Sequence, residues 1–412
     1  MKIVLCSKYY FARGGSERYL FNIERLLSGA GHVPIPFSVA FPGTAPSPFS
    51  SYFPPAPTHN GGVHYRSLHP TLGEAARIGL NAVYSLPAKR QLSRLIRDQR
   101  PDAGYLFNIV NYLSPSVIDA FKEAGLPVVM FLPDYNFACA RHMFFREGHV
   151  CFDCKRGRWH GIVHRCVHGS LSASMLRVAS MWVHEFLHLY QAVDQFVAPS
   201  TRMIEELADF GIPREKISYL PTPVPANEYQ PNYAHRNYFL FVGRVSQEKG
   251  LGVLLRAFRS VASRGYHLRL VAGSDEDFEG ALAADLAQPG VDLVGPMYGS
   301  ELASQYAGAC ALVVPSLSHD NSPNVVVEAM ASGKPVIGSR VGGIPDQIGD
   351  DCGLVVEPGD AVELAAAMTQ MINDEAGRAA MGRAARGRAE TVFGMESHLK
   401  GLLSVFARLG VR

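Results

Sequence analysis

The sequence lacks any apolar run long enough to cross a membrane, because no stretch approaches the ~20 uninterrupted apolar residues that a spanning helix needs. The best candidate, residues 176–190, is interrupted by one arginine, one glutamate and two histidines. The first residues, MKIVLC, also lack the charged start, long apolar core and cleavage site of a secretory signal. We therefore expect a cytoplasmic protein, and peripheral association with the inner face of the membrane is left open.

Low-complexity tracts, short-period repeats and a Gly-x-Ser-x-Gly nucleophile elbow are missing too. These absences argue against a repeat array and against a serine nucleophile of the hydrolase type. What is present is a chain of 412 residues that is 47% hydrophobic and 18% charged. Because one hydrophobic core rarely grows beyond ~250–300 residues, this length indicates more than one domain.

Both halves of the chain alternate short apolar runs with helix-length stretches, the pattern of buried parallel strands joined by helices. We therefore predict an α/β chain of two Rossmann-like domains that face each other across a ligand-binding cleft. A proline-rich stretch sets the boundary. The predicted parts are a first domain at 1–220 with a cysteine-rich basic insertion at about 137–170, a linker at 221–236, a second domain at 237–394, and a C-terminal helix at 395–412 that could return to the first domain.

The net charge of +2 is unevenly divided, because basic residues outnumber acidic ones in 1–220 and the reverse holds in 221–412. This division argues against nucleic-acid binding by the whole chain. It leaves room for an anionic partner of the first half, such as a membrane surface or a diphosphate.

Two cations stand on one strand-to-helix loop in the second half. Arg244 and Lys249 follow an apolar strand that ends at Val242 and precede an amphipathic helix. Together they could stabilise a diphosphate and neutralise the charge that grows on it as a bond breaks. Two solvated cations on an ordinary loop are the alternative interpretation.

A second segment, Asp320-Asn-Ser-Pro-Asn-Val-Val-Val-Glu328, follows another apolar strand and leads into a helix at about Asn324. Free amides at a helix start attract phosphate, so Asn324 and Val325 are candidate phosphate ligands. Glu328, one turn further on, could accept both hydroxyls of a ribose. A helix cap followed by a solvated glutamate is the alternative.

These segments resemble the large family of retaining GT-B glycosyltransferases, family four, whose hallmark is two acidic residues separated by seven others. Ordered matches run along almost the whole chain: Gly14-Gly15-Ser-Glu17, Ala198-Pro-Ser200, Gly243-Arg244 with Lys249, Gly273, Gly295, the acid pair, Gly333-Lys-Pro-Val and Gly342-Gly343-Ile-Pro-Asp346. The resemblance implies a GT-B fold and transfer of a hexose-type sugar from a UDP- or GDP-sugar. The implied acceptor is a sugar or a lipid-linked saccharide, in surface polysaccharide or glycoconjugate synthesis.

The resemblance also implies roles for the matching residues. The candidates for catalysis are Arg244, Lys249, Asp320 and Asp134. The candidates for donor binding are Gly14, Gly15, Gly273, Met297, Asn321, Ser322, Asn324, Val325 and Glu328. Enzymes of this family are thought to use same-face attack, in which the departing phosphate takes the acceptor's proton. The chemistry would then need no protein nucleophile, no metal and no other cofactor, with Arg244 and Lys249 in the metal's role.

Three departures from the family pattern bear on the sugar end of the site. The first acid is Asp320 where the family commonly has glutamate, and Pro133-Asp134 stands where it has His-Asp. The usual Asn-Gly turn before the linker is replaced by a proline-rich turn that includes Thr222. In the family that histidine helps to position the donor sugar, and Asp134 or Asn136 would have to do so here. These departures motivate a catalytically degenerate scaffold as one alternative, and a sugar-nucleotide epimerase or phosphorylase on the same fold is another.

Four of the seven cysteines, Cys139, Cys151, Cys154 and Cys166, fall within one short window. The Cys-x-x-Cys pair is typical of a zinc half-site, and four thiolates could close a tetrahedral structural site. Free thiols or a disulfide are the alternatives, and five histidines in the same window leave the ligand set open. The window is also basic, which predicts an acceptor-side surface for an anionic membrane or a lipid-linked acceptor.

Overall fold

The first domain is built on parallel strands with helices between them. The computed structural model describes residues 1–11, 14–56, 72–273 and 280–411. In chain order the elements of this domain are β1 (Lys2–Cys6), α1 (Gly15–Gly29), β2 (Val33–Phe37), α2 (Leu72–Val83), α3 (Leu86–Gln99), β3 (Ala103–Leu106), α4 (Ser116–Glu123), β4 (Val128–Phe131), β5 (Phe145–Arg146), β6 (His149–Val150), α5 (His160–Val163), α6 (Leu171–Phe186), β7 (Gln195–Ala198), α7 (Thr201–Asp209) and β8 (Ile217–Tyr219).

The first sheet has the order β2-β1-β3-β4-β7-β8, and every neighbouring pair is parallel. Its strands are continuous apolar runs because helices cover both faces. Helix packing is close enough to require a glycine in β3, since a Cβ at Gly104 would lie 2.6 Å from the ring of Phe121. The short β5–β6 hairpin belongs to the predicted insertion and pairs antiparallel.

The second domain repeats this plan. Its elements are β9 (Tyr238–Arg244), α8 (Leu251–Arg259), β10 (His267–Gly273), α9 (Ala283–Leu286), β11 (Val291–Leu293), α10 (Gly299–Gly308), β12 (Ala311–Val314), α11 (Asn324–Ala331), β13 (Val336–Ser339), α12 (Ile344–Ile348), β14 (Gly353–Val356), α13 (Ala361–Asn373) and α14 (Glu375–Thr391). The sheet order is β11-β10-β9-β12-β13-β14, again all parallel. The predicted fold class, two Rossmann-like α/β domains, is confirmed.

In each sheet the strand order reverses at one point, between β1 and β3 in the first and between β9 and β12 in the second. Loops that leave the carboxyl ends of the strands diverge at such a point and open a crevice for a ligand. The double glycine follows β1, the Arg244–Lys249 loop follows β9, and the acid pair follows β12. The topology therefore directs all three predicted motifs to switch points.

The last helix, α15 (Met395–Arg408), packs on the first domain although it follows the second in sequence. Leu402 and Phe406 are buried in the first domain's core. His398 is also buried, with Nε2 3.0 Å from the Tyr19 hydroxyl and Nδ1 2.8 Å from the carbonyl of Pro221. A neutral imidazole satisfies both contacts, because Nδ1–H can donate to the carbonyl while Nε2 accepts.

Among the helices of the described residues, none combines the length and apolar character that crossing a bilayer requires.

Burial of the His398 imidazole lowers its pKa to about 4, below the value of about 6.5 expected in the unfolded chain. The unfolded state therefore binds more protons between these two values, so this contribution to stability is complete above pH 6.5 and is lost as the pH falls towards 4. Between pH 7 and pH 5 we expect the free energy of unfolding, measured with urea, to fall by about 2 kcal/mol more in the wild type than in His398→Gln.

Parallel pH profiles for His398→Gln and the wild type would contradict a buried neutral imidazole.

Candidate functional site

The two predicted donor loops lie side by side at the switch point of the second sheet, because β9 and β12 are hydrogen-bonded neighbours. The ammonium of Lys249 lies 2.6 Å from Oδ2 of Asp320, which also accepts a hydrogen bond of 2.9 Å from the Ser316 hydroxyl. Burial alone would raise the pKa of Asp320. The charge of Lys249 and the two hydrogen bonds outweigh burial, so the pKa lies below its ordinary value.

Two glycines let these loops approach so closely. Gly250 has a φ of 71°, and a Cβ there would lie 1.8 Å from the carbonyl oxygen of Pro315. A Cβ at Gly343 would lie 1.8 Å from the carbonyl oxygen of Asn321. The amide of Gly343 instead donates a 2.7 Å hydrogen bond to the carbonyl of Asp320. Glycine at both positions therefore allows the close backbone contacts that hold Asp320, the first acid, in place.

Arg244 and Lys249 differ in accessibility. The Arg244 side chain is 67% exposed and pairs with Glu248 at 3.0 Å, whereas that of Lys249 is 23% exposed and lies against Asp320. Arg244 also lines a cavity of about 640 Å³ between the domains. An incoming anion could therefore reach the guanidinium of Arg244 first. To bind the ammonium of Lys249, it must compete with the Asp320 carboxylate.

Glu328 is buried, and protein groups engage both of its carboxylate oxygens. Arg18 of α1 forms an ion pair with Oε1, and the Tyr306 hydroxyl donates to Oε2 at 2.8 Å. The charge of Glu328 raises the pKa of Arg18, and burial raises that of Tyr306. A neighbouring cavity of about 270 Å³ is lined by Arg18, Glu328, Asn324 and Gly299. Arg18 of the first domain thus occupies the Glu328 carboxylate that was predicted to bind the ribose.

The first domain supplies most of the wall of the larger cavity, where polar groups stand among apolar ones. This wall includes Lys8, Gly14, Gly15, Asn108, Asn111, Asp134, Asn136, His142 and Arg177. Asp134 accepts hydrogen bonds from the amide and the side chain of Asn136, at 2.9 and 2.7 Å. A Cβ at Gly15 would lie 3.0 Å from Nδ2 of Asn324, so the double glycine meets the start of α11 across the cleft.

The remaining predicted donor residues surround the same loops. The Asn321 side chain donates to the carbonyl of Pro133 at 3.0 Å, which links the domains. The Ser322 hydroxyl accepts a hydrogen bond of 3.0 Å from Gln347. Gly273 ends β10, and its carbonyl accepts a 3.1 Å bond from the amide of Val245. Val325 and Met297 are half-buried side chains on the second domain's core.

His319, directly before the first acid, joins the two domains. Its Nδ1 lies 2.5 Å from Oε1 of Glu206 on α7, and both residues are buried. The imidazole lies edge-on to the rings of Phe144 and Phe152, with centroids 6.3 and 5.3 Å away. These two aromatic residues come from the insertion, so the insertion helps to hold the cleft together.

His142 and Arg18 are site residues that the sequence analysis missed. His142 opens onto the larger cavity and has a φ of 60°, in a turn where its amide donates to the carbonyl of Cys139 at 3.0 Å. Desolvation by the cleft walls lowers the pKa of His142, and the charge of Asp134 opposes this effect. The family pattern places a histidine at position 133. This chain has proline there, but His142, nine residues later in sequence, lines the same cavity as Asp134.

None of the four predicted zinc ligands is in a disulfide. Burial, together with the charges of neighbouring cysteines, raises the pKa of Cys154 and of Cys166 to about 11. Cys139 and Cys151 are among these neighbours of both residues. Among the described residues, however, the group whose ligand atoms all lie within 4.8 Å is Asp153, His160 and His164.

The chain also contains two sequence patterns that commonly bind metal. Residues 184–188 read His-Glu-x-x-His, but α6 ends at Phe186, His188 has a φ of 54°, and His184 is buried 2.6 Å from the carbonyl of Val83. The two imidazoles therefore do not share one helical face. The Asp-Glu-Asp run at 275–277 lies outside the described residues.

Two parallel-sheet domains that meet across a cleft, with charged loops at the switch points, define a protein of the GT-B fold. Solved structures agree: Anabaena HepE in complex with UDP-glucose superposes with a TM-score of 0.65 at 16% identity, covering 99% of this chain and 100% of that one. Residues 236–374 match the model of the family described as "Glycosyl transferases group 1".

The curated relatives match this chain over only part of their own length. The D-inositol 3-phosphate glycosyltransferase of Corynebacterium aurimucosum is 35% identical over 167 residues, which cover 38% of this chain and 39% of that protein. The capsular polysaccharide biosynthesis glycosyltransferase CapM of Staphylococcus aureus is 32% identical over 172 residues, covering 40% and 44%. These alignments thus span less than half of either relative.

Proposed function

We propose that this protein is a retaining glycosyltransferase that moves a hexose-type sugar from a UDP- or GDP-sugar to a sugar or lipid-linked saccharide. Its role would lie in surface polysaccharide or glycoconjugate synthesis. The observation that carries this proposal is the placement of Arg244 and Lys249 beside Asp320 at the switch point, one loop away from Glu328. The UDP-glucose bound by HepE, and the activities named for the two relatives, support the same class.

The donor would lie along the loops of the second domain. Its ribose would reach Glu328, its diphosphate would meet Arg244, Lys249 and the free amides at the start of α11, and its sugar would extend towards Asp134 and His142. The double glycine would let the diphosphate pass close to the first domain's backbone. The acceptor would then enter from the remaining part of the larger cavity.

In the transfer step, the bond between the sugar's anomeric carbon and the diphosphate oxygen breaks while the acceptor oxygen bonds to that carbon from the same face. The acceptor's proton passes to the departing phosphate. Arg244 and Lys249 neutralise the charge that develops on the diphosphate, so these two side chains do the work that a divalent metal does in other sites. Asp320 holds the ammonium in place until the phosphate arrives.

A nucleotide-binding scaffold without turnover is the second candidate. It is favoured by the two ion pairs that occupy the site, Lys249 with Asp320 and Arg18 with Glu328. Turnover decides between the two functions, because sustained release of nucleotide in the presence of an acceptor requires an enzyme.

Separately, we propose a structural zinc ion held by Cys139, Cys151, Cys154 and Cys166. Cys139 and Cys151 are close enough to Cys154 and Cys166 to raise the pKa of the latter two, and a bound zinc would hold all four as thiolates and tie the insertion together. The group of Asp153, His160 and His164 is the competing ligand set.

The first prediction from the proposed function concerns the donor. A matching UDP- or GDP-sugar at 100 times its Kd should stabilise the wild type by about 2.7 kcal/mol, seen as a rise in melting temperature, with EDTA present or absent. Lys249→Ala should abolish this rise, because it removes the ammonium from the diphosphate. Arg244→Ala removes an exposed side chain and leaves the half-buried Asp320 paired with Lys249, and it should weaken the rise as well.

Lys400→Ala is the matched control, since Lys400 is an exposed residue of α15. An undiminished rise in Lys249→Ala would falsify the diphosphate assignment.

The second prediction concerns Arg18, which competes with ribose for Glu328. Arg18→Ala should tighten the binding of the matching nucleoside diphosphate about fivefold, the equivalent of ~1 kcal/mol for a half-exposed ion pair. Isothermal titration calorimetry measures this change. Arg25→Ala, on the same helix and paired with Glu228, should leave the affinity unchanged. Weaker binding by Arg18→Ala would mean that Arg18 itself holds the nucleotide.

The third prediction concerns zinc. Metal analysis of the purified protein should find about one zinc per chain, and Cys154→Ser should lose it because a four-thiolate site needs every ligand. Cys310→Ser, in the second domain's core, should keep the metal. Loss of zinc from His160→Ala, with retention in Cys154→Ser, would assign the ion to the competing set.

A further inference from the structure

Helix α6 buries one face and leaves large apolar side chains exposed on a neighbouring face. Ser174, Val178 and Met181 of one face are buried in the first domain. On the other face stand Leu171, Met175, Trp182 and Phe186, and all four are exposed. Their spacing of four, seven and four residues places them in one stripe along the helix. Phe186 alone is 82% exposed, so this stripe is left uncovered by the residues that the structure describes.

Neighbouring elements extend the apolar surface. Leu80 on α2 and Trp159 and Val163 near α5 are also exposed, and both helices pack against α6. Exposed aromatic and large aliphatic side chains scattered singly are ordinary on protein surfaces, but a stripe that includes two aromatic residues marks an interaction site. We call the exposed residues Leu171, Met175, Trp182 and Phe186 the apolar stripe.

The charges beside the stripe are predominantly positive. Residues 137–190 contain seven arginines and lysines against three acids. Each acid is already paired: Glu147 and Asp153 lie near Arg146, and Glu185 lies 3.5 Å from Arg158. Arg156 and Arg165 are exposed, and no ion pair joins either of them to an acid within the described part of the chain. An apolar surface with a positive rim is complementary to an anionic lipid bilayer.

We infer that α6 docks this protein on an anionic bilayer, with the apolar stripe inserted at the level of the lipid headgroups and the arginines of the insertion on the lipid phosphates. A second copy of the chain is the less favourable occupant, because a symmetric contact would bring two positive rims together. The expected partner of the apolar stripe is therefore lipid.

This docking would also orient the proposed reaction. Ala173, Leu176, Arg177 and Ser180 of the same helix line the larger cavity. A bilayer against the stripe would thus lie beside the acceptor side of the cleft, where a lipid-linked saccharide could reach the donor without leaving the membrane. This part of the inference rests on the proposed function, whereas the docking itself does not.

Vesicle sedimentation tests the docking. The wild type should bind vesicles of phosphatidylcholine with 30% phosphatidylglycerol much more tightly than vesicles of phosphatidylcholine alone. Phe186→Glu and Trp182→Ser should each weaken binding at least tenfold, and both positions are exposed, so folding should be unaffected. The double variant Arg156→Ala, Arg165→Ala should weaken binding to the anionic vesicles and flatten its dependence on salt.

Val362→Glu is the matched control, because Val362 of α13 is 81% exposed but lies in the second domain. It should bind vesicles as the wild type does. Equal binding by Phe186→Glu and the wild type would overturn the inference, and so would a dimer in light scattering that Phe186→Glu converts to monomer. Donor-induced stabilisation of Phe186→Glu reports on the proposed function separately, since the stripe does not contact the donor loops.

Discussion

The backbone of the loop between β12 and α11 determines how this site is built, because successive side chains of that loop point to different domains. Asp320 turns inwards to Lys249, whereas His319 and Asn321 on either side reach Glu206 and the carbonyl of Pro133 in the first domain. Gly343 packs against the same backbone, where no side chain would fit. One loop therefore fixes the position of the first acid and the closure of the cleft, and neither can change without the other.

This coupling has an electrostatic consequence. In the closed arrangement the protein pairs its own charges at the site: Lys249 with Asp320, and Arg18 with Glu328. A buried carboxylate without a partner would be costly, so these pairs stabilise the protein without a ligand. In the proposed function, a nucleotide-sugar would bring a diphosphate for the cations and hydroxyls for Glu328, so it would compete with both pairs. Arg18 is the group that must move, because it comes from the opposite domain.

The sequence predicted the fold and the position of the donor loops because both depend on local patterns. Apolar runs of strand length define the sheets, and a motif that follows a strand must lie at the sheet's carboxyl edge. Contacts between distant segments could not be read in the same way. Arg18 and Glu328 are 310 residues apart, and nothing in the spacing of either residue indicates the other. The His-Glu-x-x-His run shows that a local pattern can also mislead. The motif needs a continuous helix, and α6 ends inside it.

The two main departures from the family pattern meet in space, which changes how they should be interpreted. Pro133 replaces the usual histidine, yet its carbonyl accepts the hydrogen bond from Asn321, the neighbour of the shortened acid Asp320. A proline keeps this carbonyl in a restricted backbone, and an aspartate paired with Lys249 leaves room on the sugar side. His142 opens onto that same side of the cleft beside Asp134. Had the departures reflected decay of the site, nothing would have tied them together. Their connection through one interdomain hydrogen bond, next to another histidine, instead supports the proposed function, in which this end of the cleft receives the sugar.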